Sequence, residues 1–182
     1  MMTEQETRAD NIMAVARNMM IAARTAPKGC GVDNLEIAVL CRDELPAFAD
    51  AMRRTGERLG KAFFMRDAGN VEGSDAVVLI GTRHSVRKLN CGYCGFATCR
   101  EKSEQAPATQ CAFSVTDLGI AVGSAAAVAA DARVDNRILY SAGAAAMEFG
   151  YMPDCTIVFA IALSASGKNI YFDRQNKCET TR

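Results

Sequence analysis

The stretch Ala76-Val-Val-Leu-Ile-Gly81 decides the fold. Val77 to Ile80 is a continuous aliphatic run closed by glycine, so it reads as a strand buried on both faces rather than one with a wet side. Working back from it, Leu35 to Cys41 is a second apolar run of strand length, and Pro27, Gly29 and Gly31 separate it from what precedes. Working forward, Thr156 to Leu163 is a third. Between these runs the apolar period changes to that of helices. Ile12, Val15, Ala16, Met19, Met20 and Ala23 fall on one helical face, predicting a helix over Asn11 to Ala23. Asp43 is placed to cap a helix reaching Leu59, with Phe48, Ala51, Met52 and Leu59 on its apolar side. An alanine-rich helix is expected from Ser114 to Ala130, its Gly119 and Gly123 allowing close approach of a neighbour, and another from Asn136 to Phe149. The polar tail Gly167 to Arg182 is expected to be partly mobile, with Asn169 to Asp173 docked.

Composition narrows the function. The chain has 182 residues, enough for one domain with a substantial core, and its 49% hydrophobic and 23% charged residues are those of a globular protein. Its 21 basic and 21 acidic residues cancel, which leaves no overall field to draw in nucleic acid or an anionic membrane. The start, Met1 to Asp10, is polar and partly acidic, unlike a secretory signal, and the apolar run Cys155 to Ala165 is too short to span a bilayer. A cytoplasmic protein is the expectation. Eight cysteines in such a chain point to metal or redox work rather than to a disulfide framework.

The spacing of four of them carries the chemistry: Cys91-Gly-Tyr-Cys94-Gly-Phe-Ala-Thr-Cys99, then Cys111. An iron-sulfur cluster needs several soft anionic ligands in one small volume, and the two-residue gap lets Cys91 and Cys94 converge from a tight turn. Gly92 and Gly95 free the backbone for that turn, and Phe96 and Tyr93 are placed to keep water away. A tetrahedral zinc site fits the same four residues, and a zinc-stabilised structural domain therefore stays open. Cys30, Cys41, Cys155 and Cys178 lack ligand spacing, and Cys41 and Cys155 read as small buried hydrophobes.

The cysteine pattern resembles the four-cysteine 4Fe-4S module of prokaryotic redox proteins, including the corrinoid iron-sulfur protein. Over nearly the whole chain, Ala22-Ala-Arg-Thr-Ala-Pro-Lys-Gly29, Val134-Asp-Asn-Arg137 and Leu163 to Arg174 resemble a prokaryotic family of ferredoxin-domain proteins. More loosely, the first helix, the Ala26-Pro27 loop, the strand Leu35 to Leu40 and Asp117-Leu-Gly-Ile-Ala121 resemble the nitroreductase-like fold, whose dimeric members hold FMN between subunits. That resemblance implies an α+β fold, a mixed sheet flanked by helices, in a single domain over 1–182 with an iron-sulfur segment, 88–112, inserted.

It also implies where FMN would lie: its ring against Arg24, Thr25, Ala26, Pro27 and Lys28, its phosphate on Arg24, Lys28 or the basic segment with Arg83, His84, Arg87 and Lys88. The alternative is that these charges are solvated. His84, the only histidine, reads as a surface-loop residue, and Asp117, Asp131 and Asp135 as caps or surface groups. The reading is an iron-sulfur redox protein that transfers electrons, as an FMN-dependent oxidoreductase or as a carrier serving a redox partner protein. A homodimer paired through the helix Thr116 to Ala130 is expected.

Overall fold

The structure is a computed structural model that describes residues 1–172; Asp173 and Cys178 lie outside the described residues. Among these, four strands, β1 (Leu35–Cys41), β2 (Ala76–Arg83), β3 (Asp135–Leu139) and β4 (Cys155–Ser164), form one sheet of order β1-β2-β4-β3. All three pairings are antiparallel, which corrects the expected mixed sheet. The α+β class stands. The chain returns from β1 to its neighbour β2 through two successive helices, α2 (Leu45–Leu59) and α3 (Phe63–Glu72), and so runs the opposite way.

The alternation along β2 builds two cores. Val77 and Leu79 point to one face, where α2, α3 and α6 (Tyr140–Glu148) supply Phe48, Met52, Val71 and Ala145. Ala76, Val78 and Ile80 point to the other, under α1 (Glu4–Thr25) and α5 (Ala112–Asp131), which supply Met19, Leu118 and Ala125. Each large apolar side chain so covered contributes about 1.5–3 kcal/mol. At Gly143 an added Cβ would lie 1.8 Å from the Val158 carbonyl oxygen, so only glycine lets α6 seat on the β4 backbone.

The sequence locates β1 without error and β2 and β4 to within two residues at their ends. Two expectations fail. Asn136 to Leu139 is edge strand rather than the start of a helix, and α6 begins only at Tyr140. Asp43 sits in a short 3-10 turn, Arg42–Glu44, and it is the Glu44 carboxylate that accepts the Cys41 N–H (2.7 Å) ahead of α2. Gly119 and Gly123 are exposed and meet nothing within 4 Å, so no element of this chain uses the close approach they permit. α5 is long and apolar enough to cross a membrane by length and composition, yet it packs Leu118, Ala121, Val122, Ala125 and Ala129 against α1 and the sheet. The end of the described chain is docked: the Tyr171 hydroxyl hydrogen-bonds Ser74 Oγ (2.9 Å), and Arg137 donates to the Tyr171 carbonyl (2.8 Å).

Candidate metal centre

After β2 the chain leaves the sheet, and residues 84–98 take no regular structure until α4 (Cys99–Gln105). Lys88, Asn90, Gly92 and Gly95 all have positive φ, between 49 and 88°. Glycine adopts that region freely; Lys and Asn do so at a cost that surrounding bonds must offset. Asn90 has them: its Oδ1 accepts the Cys99 N–H (2.9 Å), and its own N–H donates to Cys99 Sγ (3.4 Å). The Gly95 N–H closes the turn onto the Gly92 carbonyl (2.9 Å). Thr98 caps α4 by accepting the Glu101 N–H (3.1 Å), which fixes Cys99 at the first helical position. Cys111 is the residue before α5, in the N-cap position.

These local devices bring Cys91, Cys94, Cys99 and Cys111 to the wall of one cavity, lined also by Val86, Phe96 and Ala112. Cys111 is buried and the other three are half-buried. Among the described residues, the one trio of candidate ligand atoms mutually within 4.8 Å is Cys41, Asp43 and Glu44, elsewhere in the fold. No three of the four motif sulfurs are mutually that close, whereas the edges of a zinc tetrahedron measure about 3.8 Å for Zn–S bonds near 2.3 Å.

The charges around the cavity are positive. Burial opposes ionisation of Cys111, yet the backbone N–H groups of Arg87, Ser114 and Phe113, with the Arg87 guanidinium, outweigh it and hold the thiol below its ordinary range. A thiolate is the form that binds metal. Arg87 is itself buried; it donates to Asp117 Oδ2 (2.8 Å) and to Ser85 Oγ (2.8 Å). Asp117 Oδ1 accepts the Gly29 N–H (2.8 Å), so one carboxylate ties the cysteine segment, α5 and the loop after α1 together. Phe113 repeats that link in apolar form: Tyr93 stacks on it (5.9 Å between centroids, 9° between planes), and a Cβ on Gly29 would come within 3.0 Å of its ring. Tyr93 remains 77% exposed, so of the two expected shields Phe96 lines the cavity and Tyr93 does not. Lys102, 1% exposed, also faces the cavity.

Sequence reasoning does not single out Lys102 or Asn90; it places Arg87 in a basic cluster for phosphate and Asp117 as a cap or surface group, whereas the two form a buried pair. The signal for Asp117 was its position one turn into an apolar helix, where nothing in the sequence reveals a partner thirty residues away.

The residues expected at a flavin are placed as follows. Arg24 donates to Asp33 (2.7 Å) and to the Leu35 carbonyl (2.9 Å). Lys28 gives its ammonium to the carbonyls of Ala23, Arg24 and Ala26, closing the end of α1. Thr25 bonds back to Ile21 (3.0 Å), Ala26 is buried, and Pro27 is exposed. Arg83 pairs with Glu36 (3.1 Å), and Lys88 is exposed beside the cysteine segment. As positioned, Lys28 does not fit a phosphate grip, because all three of its N–H donors go to carbonyls of this chain, whereas Arg24 commits only Nη1 of its five-donor guanidinium. Of the remaining cysteines, Cys155 is buried as expected, but Cys41 and Cys30 are exposed. Cys41 closes β1, an edge strand of the sheet.

The order of helices and strands around this sheet is that of the nitroreductase fold. A BluB-like flavoprotein from Clostridium difficile superposes with a TM-score of 0.61 at 16% identity, over 86% of this chain and 81% of its own. A putative nitroreductase in complex with FMN from Desulfovibrio desulfuricans gives 0.56 at 16% identity, over 91% and 81%. At the level of sequence, an uncharacterized protein of Archaeoglobus fulgidus is 39% identical over 97% of this chain and 99% of its own length. Residues 107–174 match the model of a family described as "uncharacterized protein containing a ferredoxin domain". The chain belongs to this ferredoxin-domain family, and family and fold together support a redox role. The matched segment contains Cys111 but not Cys91, Cys94 or Cys99.

Proposed function

We propose that this protein is an electron-transfer protein whose Cys91, Cys94, Cys99 and Cys111 hold a 4Fe-4S cluster. One observation carries the reading: four cysteines from two separate pieces of chain line a single cavity walled by apolar side chains and bordered by buried cations. The donor set fits the group, since four soft thiolates lining one cavity suit iron-sulfur chemistry. When bound, a cluster of this kind supplies a site that gains or loses one electron. The chain's own part is to keep the Cys111 thiol ionisable through backbone N–H groups and Arg87, to fix Cys99 through Asn90, and to limit water with Phe96 and Val86.

The exposed Tyr93 and Leu89 beside the cysteine segment are where a redox partner protein would approach in a reducing cytoplasm. A second reading, favoured by the nitroreductase fold, adds FMN and makes the protein an oxidoreductase. Lys28 is engaged within the chain, so Arg24 and the exposed Lys88 are the basic side chains this reading would use. Saturable FMN binding to cluster-loaded protein, followed by flavin fluorescence, would support that second reading; its absence would leave the carrier. The exposed face of α5, with Val115, Gly119, Ile120 and Gly123, supports pairing of two copies into a homodimer.

Iron and acid-labile sulfide in anaerobically purified protein test the central proposal. Serine at any of the four positions should lower both, while Cys155→Ser should leave both at parent level. Stoichiometric zinc without sulfide would overturn it.

A further inference from the structure

Lys102 lies on α4, one turn beyond Cys99, and its side chain is turned inward to the wall that the four cysteines line. It is 1% exposed. Its Nζ lies 3.0 Å from His84 Nε2 and 3.4 Å from the Pro107 carbonyl oxygen. Neither partner carries negative charge. Among the described residues no carboxylate pairs with Lys102, whereas the other buried cation of the region, Arg87, is matched by Asp117. An ammonium taken out of water without an anion is strongly unfavourable, and the charge it lacks must come from the cavity it faces. Four thiolates around a metal centre carry that negative charge.

We propose that Lys102 is the buried counter-charge of the cysteine-bound centre and sets its reduction potential. The inference rests on the cluster assignment above. A fixed positive charge favours whichever redox state is more negative, so Lys102 raises the potential; net charge and burial are among the levers that set cluster potentials. His84 and Pro107 aim the ammonium without neutralising it. Lys102 is thus a positioning residue acting on the centre by its field and not a ligand.

The test compares the parent with Lys102→Met, which keeps length and removes charge, and Lys102→Arg, which keeps charge. In anaerobic redox titrations followed by visible absorption, Lys102→Met should lower the reduced-to-oxidised ratio at the parent's midpoint about tenfold, equivalent to about 59 mV for one electron. Lys102→Arg should stay within about threefold. In metal-free protein the order reverses: Lys102→Met should melt above the parent, because it no longer buries an unmatched charge. A purely structural role for the side chain would not produce that inversion. A loaded Lys102→Met protein with the parent's potential would overturn this inference and leave the cluster standing. Zinc without sulfide in the parent would overturn both. Metal-free Lys102→Met that melts below the parent or fails to fold would make the ammonium a structural donor to His84 and Pro107, and would overturn the inference as well. A folded variant that loses its cluster under conditions that load Lys102→Arg would support it.

Discussion

Asp117→Asn separates charge from shape at the tie between the cysteine segment and the scaffold. Asparagine keeps an oxygen where Oδ1 accepts the Gly29 N–H, and replaces the charged acceptor facing Arg87 with an uncharged NH2 donor. The two side chains are 2% and 5% exposed, so solvent does little to screen the loss. Arg87 Nε is already buried without a partner, and Ser85 Oγ is the one remaining acceptor of the guanidinium beyond Asp117. Breaking a buried pair from one side typically costs about 3–5 kcal/mol, because the surviving charge stays inside uncompensated. For a chain of this size that corresponds to a drop in melting temperature of roughly 6–20 °C. The assay is urea and thermal unfolding of metal-free protein, so that a bound cofactor does not enter the equilibrium. The double variant Arg87→Met with Asp117→Asn should recover much of the loss, since neither charge then remains buried. A loss below about 1 kcal/mol for Asp117→Asn alone would refute the reasoning and make the pair dispensable.

Gly143→Ala should cost about 3 kcal/mol or more in urea unfolding, because its Cβ collides with the Val158 carbonyl and α6 must lift from β4. Burial, reinforced by the Glu36 carboxylate, pushes the Cys155 thiol from 9.0 to about 11. At pH 9 iodoacetamide should therefore modify exposed Cys41 and spare Cys155, as read by peptide mass spectrometry. The same shift is full stability below pH 9 and a loss between pH 9 and 11, where the unfolded thiol releases its proton first. If two copies pair through α5 as proposed, Ile120→Glu, at a position 42% exposed, should leave the circular dichroism unchanged and yield a monomer by light scattering where the parent is a dimer; a monomeric parent would refute the pairing.

What was legible in the sequence follows burial. β1, β2 and β4 are apolar enough to announce themselves, and β2 is buried along nearly its whole length. β3 is an edge strand whose Asp135, Asn136 and Arg137 give no period-two pattern, and only Leu139 is fully covered. It was read as helix for that reason. α3 escaped notice although Phe64, Ala68 and Val71 sit at helical spacing between Gly60 and Gly73, a signal that was present. At the centre, spacing alone brought the four cysteines to attention, since ligands close in sequence are visible there. The burial of Arg87, Asp117 and Lys102 is not legible there, because the sequence shows a charge but not whether it is inside.

Neither core contains a residue between Ile80 and Leu118, so the cysteine segment joins the scaffold through ties such as Arg87–Asp117 and Tyr93–Phe113 rather than through the two apolar cores. If the four cysteines hold the proposed cluster, that division separates folding from loading: the two cores can assemble around an empty cavity, and metal-free protein should still unfold in one cooperative transition.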